Sequence, residues 1–368
     1  MFHVCLHKIF KDGSDTLALH CQAEKFNFSY RTDQSTELSS NGLERMREMT
    51  RKVGVIGTGH VGAHVMFAMA AYGVCDELVV TDINQQKAES EAQDIFDTIS
   101  LLPKRVRVSA GTYEDLADCD IVVNAAGKVD LLIGSVDRGL ETEFTINAVH
   151  TWVDRLRKAG FNGRLINISN PCDVVTREIA LGLGLPEGHV FGTGTGLDTA
   201  RLKSQLAEQT GLDHKSIIAF MLGEHGNSMF CPWSCVYISG KPFSQLDKSD
   251  PRFDFEPEEL EKRARMGGWK TFAGKHCTEY AIASTAARMA EAVFNDSKMI
   301  MPASRELHGE YGVEGVFAGV PCVIGKDGAE EVLDLHLTPE EQKKFDDSIA
   351  AIRENMAKAD SMFPVKQN

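Results

Sequence analysis

Three short stretches hold the residues best suited to chemistry. In Leu222-Gly223-Glu224-His225-Gly226-Asn227 a histidine stands between glycines, which shield its ring little and let it face a cleft. An imidazole titrates near neutrality, so it can give or take a proton under ordinary conditions. A lone histidine is more often structural, and this one gains meaning only with a partner. In Gly196-Leu197-Asp198-Thr199-Ala200-Arg201 a carboxylate and a guanidinium stand three residues apart, on one face of a helix. That pair reads equally well as a surface ion pair. The third stretch is Val53-Gly54-Val55-Ile56-Gly57-Thr58-Gly59-His60-Val61-Gly62, an apolar run entering glycines spaced G-x-G-x-x-G. Gly57 permits a tight turn, Gly59 lets a pyrophosphate approach the backbone, and Gly62 lets helix and strand pack closely. The free N–H groups of the helix start suit an anion.

Elements in a fixed order must position these residues. Glu77-Leu78-Val79-Val80-Thr81 reads as a second strand ending at Asp82, 20 residues beyond Gly62. A carboxylate there accepts hydrogen bonds from ribose hydroxyls and repels a 2′-phosphate, which favours NAD over NADP. Between Arg51 and Gly192, strands are expected at 53–56, 78–81, 106–109, 121–124, 165–168 and 190–192, with amphipathic helices at 87–97 and 145–159 among them. Repeated β-α-β units imply a Rossmann-type doubly wound parallel sheet. The second half changes character. Residues 217–222, 236–238, 316–324 and 331–335 read as strands of one antiparallel sheet, with Gly325-Lys326-Asp327-Gly328 as a turn. Helices are expected at 199–210, 257–270, 278–294 and 339–360, the last opening on a capping box at Thr338. The fold class is therefore α/β: the Rossmann-type sheet followed by an α+β substrate domain. The organisation expected is an extension over 1–48, a dinucleotide-binding domain over 49–192 and a catalytic domain over 193–368. Residues 1–48 are polar and aperiodic, so they read as a disordered extension, or as sequence upstream of a natural start at Met46 or Met49.

Bulk properties exclude several classes. A net charge of −14 over 368 residues argues against a nucleic-acid surface. No apolar run approaches the roughly 20 residues that span a bilayer. Nine scattered cysteines without a C-x-x-C pair point to reduced thiols and a cytoplasmic location, and Cys231 and Cys235 have no companions for a metal site.

Gly57-x-Gly59-x-x-Gly62, Asp82, Ile168-Ser169-Asn170-Pro171, Leu197-Asp198-Thr199-Ala200-Arg201 and Gly223-Glu224-His225-Gly226 follow one another in this order. The set resembles the lactate/malate dehydrogenase superfamily over about residues 51–360. In detail it resembles the L-2-hydroxyisocaproate and L-lactate dehydrogenases, and Asn227, where lactate dehydrogenases usually carry Asp, points to the former. The resemblance implies an NAD-dependent oxidoreductase acting on 2-hydroxy acids, forming a homodimer or homotetramer. His225 would be the proton donor, Asp198 its orienting carboxylate, Arg138 the polariser of the carbonyl and Arg201 the anchor of the substrate carboxylate. Asn170 and Thr278 would line the substrate pocket. The cofactor would meet Gly57, Gly59, His60, Val61, Gly62, Asp82, Gly127, Asn147 and Asn170.

Specificity falls on the loop Lys128-Val129-Asp130-Leu131-Leu132-Ile133-Gly134-Ser135-Val136-Asp137-Arg138. Malate dehydrogenases carry a second arginine there, whereas this loop has none before Arg138. Leu131 and Leu132 would instead meet an apolar side chain, since a second carboxylate beside them would lie unpaired. Pyruvate and 2-oxoisocaproate are the expected substrates. Malate dehydrogenase is the alternative, with Lys128 as a substitute cation, and a non-catalytic NAD-binding protein is the alternative from another class.

Overall fold

The computed structural model describes residues 50–128 and 139–363; Leu131, Leu132, Arg138 and the expected extension over 1–48 lie outside the described residues. A nine-stranded sheet runs through the molecule. Six of its strands are parallel: β1 (Lys52–Ile56), β2 (Glu77–Thr81), β3 (Arg107–Ala110), β4 (Ile121–Asn124), β5 (Arg164–Asn167) and β6 (Val190–Gly192). They lie in the order β3-β2-β1-β4-β5-β6. β1, β2 and β4 are near-continuous apolar runs because helices cover both faces of a parallel sheet. Those helices are α1 (His60–Tyr72), α2 (Gln85–Thr98), α3 (Gly139–Lys158) and α4 (Cys172–Leu183). The strand order reverses between β1 and β4, and ligands of such sheets bind at the carboxyl end of that crevice. Gly57 and Asp82 stand at that end.

The second half was expected to form one antiparallel sheet, and it does not. β10 (Met299–His308), β11 (Glu314–Gly325) and β12 (Gly328–Val332) are antiparallel, but they continue the large sheet through a rung between Ser304 and Gly192. β7 (Ile217–Ile218), β8 (Tyr237–Ile238) and β9 (Lys241–Pro242) make a separate three-stranded sheet. The strand expected over 217–222 stops after two residues; beyond it Leu222 bridges Phe230 and Gly223 bridges Gly319. β10 was not anticipated, because Pro302 interrupts a mixed run. Its register explains the tolerance: Pro302 faces Pro321, so both missing donors fall on one rung. α4 was also unanticipated.

Four further helices pack around the second half: α5 (Gly196–Thr210), α6 (Pro257–Lys275), α7 (Tyr280–Phe294) and α8 (Pro339–Met362). α8 opens as expected. The Thr338 hydroxyl accepts from the Glu341 N–H, and the Glu341 carboxylate accepts from the Thr338 N–H at 2.9 Å. Thr338→Ala is expected to cost about 1 kcal/mol, lowering the melting temperature by about 1–2 °C in a calorimetric scan.

Candidate active site

The dinucleotide end is built from backbone. Gly57 has φ 89°, a left-handed conformation that favours glycine, and its N–H donates to Thr81 O at 2.8 Å. A methyl group at Gly62 would lie 1.8 Å from Gly57 O, so strand and helix meet there too closely for any side chain. A methyl at Gly59 meets nothing within 4 Å, and no side chain caps the start of α1. That combination leaves open space facing the amino end of a helix, which fits a pyrophosphate. Asp82 accepts from the Thr58 N–H at 2.7 Å and the Asn84 N–H at 2.9 Å, which fixes its carboxylate beside the glycine turn. Gly127 is exposed and unobstructed, and Asn147 is exposed on α3. His60 stands largely exposed at the first position of α1, with its Nδ1 3.3 Å from the Glu279 carboxylate.

These glycines make contrasting predictions. Gly62→Ala is expected to destabilise the fold by more than about 2 kcal/mol, because backbone atoms must move. Gly59→Ala should melt like the parent protein yet bind NADH more weakly. Thermal melts and NADH fluorescence titrations of both variants check this.

A cavity of about 160 Å³ opens beside Val61, where Asn170, Asp198, Arg201, His225 and Thr278 meet. His225 lies 27 positions from Asp198, yet its Nδ1 donates to Asp198 Oδ2 at 2.6 Å. A nitrogen facing a carboxylate must carry the hydrogen, so Nε2 is the ring's other exchange site. Asp198 is 1 % exposed, and its Oδ1 accepts from Arg201 Nη1 at 2.8 Å. Burial alone would raise this carboxyl. The facing His225 ring and Arg201 guanidinium outweigh burial and hold it below its ordinary value, so it stays ionised.

Local structure explains why these groups converge. Gly223, at φ 93°, exchanges paired hydrogen bonds of 2.9 Å with Gly319 of β11. Glu224 N–H donates to Ser348 Oγ at 2.8 Å, and Asn355 donates to the Glu224 carboxylate, which ties the histidine loop to α8. Thr199 Oγ1 accepts from Met221 N–H at 2.8 Å, joining the same loop to α5. Arg201 finds room because residue 268 of α6 is glycine, whose added methyl would lie 3.1 Å from Nη1.

Several contributors were not anticipated. Glu141, Arg265, Trp269 and Phe272 also line the cavity. The Gly267-Gly268 pair inside α6 was the available signal, since glycine in a helix interior is costly and marks a close approach. Asp173, in the first turn of α4, is buried, and its Oδ2 accepts from the His225 N–H at 3.1 Å. Nothing in its local sequence points across the 52 positions to that histidine. Among the described residues no three of His, Cys, Asp or Glu gather as a metal site, and no helix is long and apolar enough to cross a membrane.

Two family models match in succession. Residues 51–192 match the lactate/malate dehydrogenase NAD binding domain, and residues 195–362 match the lactate/malate dehydrogenase alpha/beta C-terminal domain. The L-lactate dehydrogenase of Fusobacterium nucleatum is 41% identical over 307 residues, spanning 83% of this chain and 95% of that protein. L-lactate dehydrogenase 1 of Bifidobacterium longum is 39% identical over 306 residues, spanning 83% of this chain and 96% of that protein. Among solved structures, a lactate dehydrogenase from a Medee basin deep-sea metagenome library superposes with TM-score 0.80 at 32% identity, covering 84% of this chain and 99% of that one. The minor L-lactate dehydrogenase of Enterococcus mundtii gives 0.79 at 33% identity, covering 84% and 98%.

Proposed function

Because the chain belongs to the lactate/malate dehydrogenase family and is an NAD-dependent oxidoreductase of the L-lactate dehydrogenase type, we propose that it interconverts a short 2-oxo acid with an apolar side chain, such as pyruvate, and its L-2-hydroxy acid. The observation that carries this reading is the Asp198 carboxylate bridging His225 and Arg201 at the cavity wall. The nicotinamide, when NAD is bound, supplies or accepts the hydride. Gly57, Gly59, Gly62 and Asp82 would hold the dinucleotide, and Asn170, which lines the cavity together with Val61, would meet the nicotinamide and the substrate.

The residues of the chain divide the remaining work. Arg201 donates from Nη1 to Asp198 and lines the cavity, and its remaining N–H groups would take the paired oxygens of a carboxylate. This anchors the substrate with its carbonyl toward His225. In reduction, His225 as imidazolium gives its Nε2 proton to the carbonyl oxygen, and the ionised Asp198 stabilises the cation beforehand. In oxidation, the neutral ring takes that proton back. Arg138 is proposed to stabilise the charge growing on the oxygen, and Leu131 and Leu132 to meet the substrate side chain. Relatives named as L-lactate dehydrogenases do not favour the malate or the non-catalytic alternative. Lys128, the substitute cation considered for malate, lies over the Phe144 ring at 5.9 Å. A cytoplasmic homo-oligomer is proposed in addition, with exposed aromatic residues Phe67 and Tyr72 of α1 and Tyr280 of α7 as contact residues; sedimentation gives its size.

The test follows NADH absorbance against pyruvate, 2-oxobutyrate, 2-oxoisocaproate and oxaloacetate. Best turnover is expected among the first three. Best turnover of oxaloacetate would overturn the substrate assignment, and no turnover of any would favour a binding-only role.

A further inference from the structure

Two carboxylates hold His225, and Asp198 meets its ring. Asp173 meets its main chain. Asp173 is 3 % exposed in the first turn of α4, immediately after Asn170-Pro171-Cys172. Its Oδ2 accepts from the His225 N–H at 3.1 Å, and its Oδ1 accepts from the Ser304 hydroxyl of β10 at 2.6 Å. Three segments distant in the chain therefore converge on one carboxyl group: the turn carrying Asn170, the histidine loop and the strand that joins the two halves of the sheet. A helix start favours a negative charge, and both oxygens have a donor.

We propose that Asp173 is a positioning residue for His225, clamping its main chain and adding a second negative charge beside the ring that Asp198 already holds. The consequence for the proposed chemistry has a definite sign. Each anion favours imidazolium over imidazole, so Asp173 extends to higher pH the range in which His225 carries the proton for reduction. Other charged groups share this region: Arg201 from α5, Arg265 from α6 and Glu141 from α3 line the same cavity, and Glu224 precedes the histidine on its own loop. α8 meets this loop through the neutral Ser348 and Asn355, and β10 through the neutral Ser304. Burial raises the Asp173 carboxyl above its ordinary value against the two hydrogen bonds that lower it, whereas Asp198 is held below its own. Of the two carboxylates, Asp173 is therefore the one that acidification neutralises first. The inference rests on His225 being the proton carrier, and the tests separate the two ideas.

Asp173→Asn preserves the shape of the clamp: the amide oxygen accepts from the His225 N–H and the amide N–H donates to Ser304 Oγ, so only the charge goes. The alkaline limb of kcat/KM for pyruvate reduction is expected to move to lower pH by about half to one unit. An unmoved limb would overturn the proposal. Ser304→Ala keeps the charge and should leave that limb in place; an equal displacement in this variant would assign the effect to packing and overturn the proposal as well. A third measurement uses the parent protein, so it survives any folding failure of a variant. With ¹⁵N-labelled histidine, the His225 amide proton should be shifted downfield and protected from solvent exchange, as an N–H bonded to a buried carboxyl group is. An amide that exchanges at the unprotected rate overturns the clamp. Unchanged turnover in His225→Ala would instead sink the proton-carrier reading and leave the amide result standing.

Discussion

His225→Ala is expected to lower turnover of pyruvate by about 10²–10⁴-fold while leaving NADH affinity within about twofold of the parent protein. The reasoning starts from the hydrogen bond at 2.6 Å between His225 Nδ1 and Asp198. That contact makes the ring's other nitrogen the proton carrier, and the carboxylate prepays the cost of making the ring cationic inside a partly closed cavity. Alanine removes the proton source without touching Gly57, Gly59, Gly62 or Asp82, none of which lines the cavity. The loop itself should persist, because Gly223 and Glu224 are fastened to β11 and α8 by their own hydrogen bonds. Stopped-flow reduction with a separate NADH fluorescence titration measures the two effects independently. A variant turning over within tenfold of the parent enzyme would remove His225 from the chemistry.

Arg201→Leu should act on binding rather than on the proton. A guanidinium facing a carboxylate in a partly buried site is a charge pair whose truncation costs about 3–5 kcal/mol, because the substrate anion is left unpaired. The expected result is a KM for pyruvate raised by about two to four orders of magnitude. Some loss of kcat should accompany it, since Arg201 is one of the two partners that keep Asp198 ionised. Arg201→Lys keeps the charge and loses the planar fork, so it should fall between the two. Initial-rate measurements over a wide pyruvate range separate KM from kcat. A KM within threefold of the parent value in the leucine variant would show that another residue anchors the carboxylate.

The two experiments also test the architecture. Asp198 is shared by both side chains, one oxygen each. A displacement of α5 would therefore disturb proton transfer and substrate anchoring together, whereas the point variants should disturb them one at a time.

Much of this protein is legible from local sequence. The apolar runs of β1, β2 and β4, the glycine spacing, Asp82 at the end of its strand, the capping box of α8 and the shared face of Asp198 and Arg201 all follow from interactions between neighbours a few residues apart. Such interactions repeat with the period of the element, so they leave a readable pattern. The resemblance of the motifs supplied the pairing of His225 with Asp198; spacing did not. Tertiary structure alone decided the rest. The meeting of His225 with Asp198 depends on Gly223 docking against Gly319, which in turn depends on β10 and β11 extending the parallel sheet. β10 is hidden in sequence because its proline is excused only by a proline on the facing strand. Asp173, Ser304, Gly268, Trp269 and Arg265 reach the site from elements far apart in the chain. Contacts of that kind are fixed by which surfaces pack together, and packing carries no periodic signature along the chain.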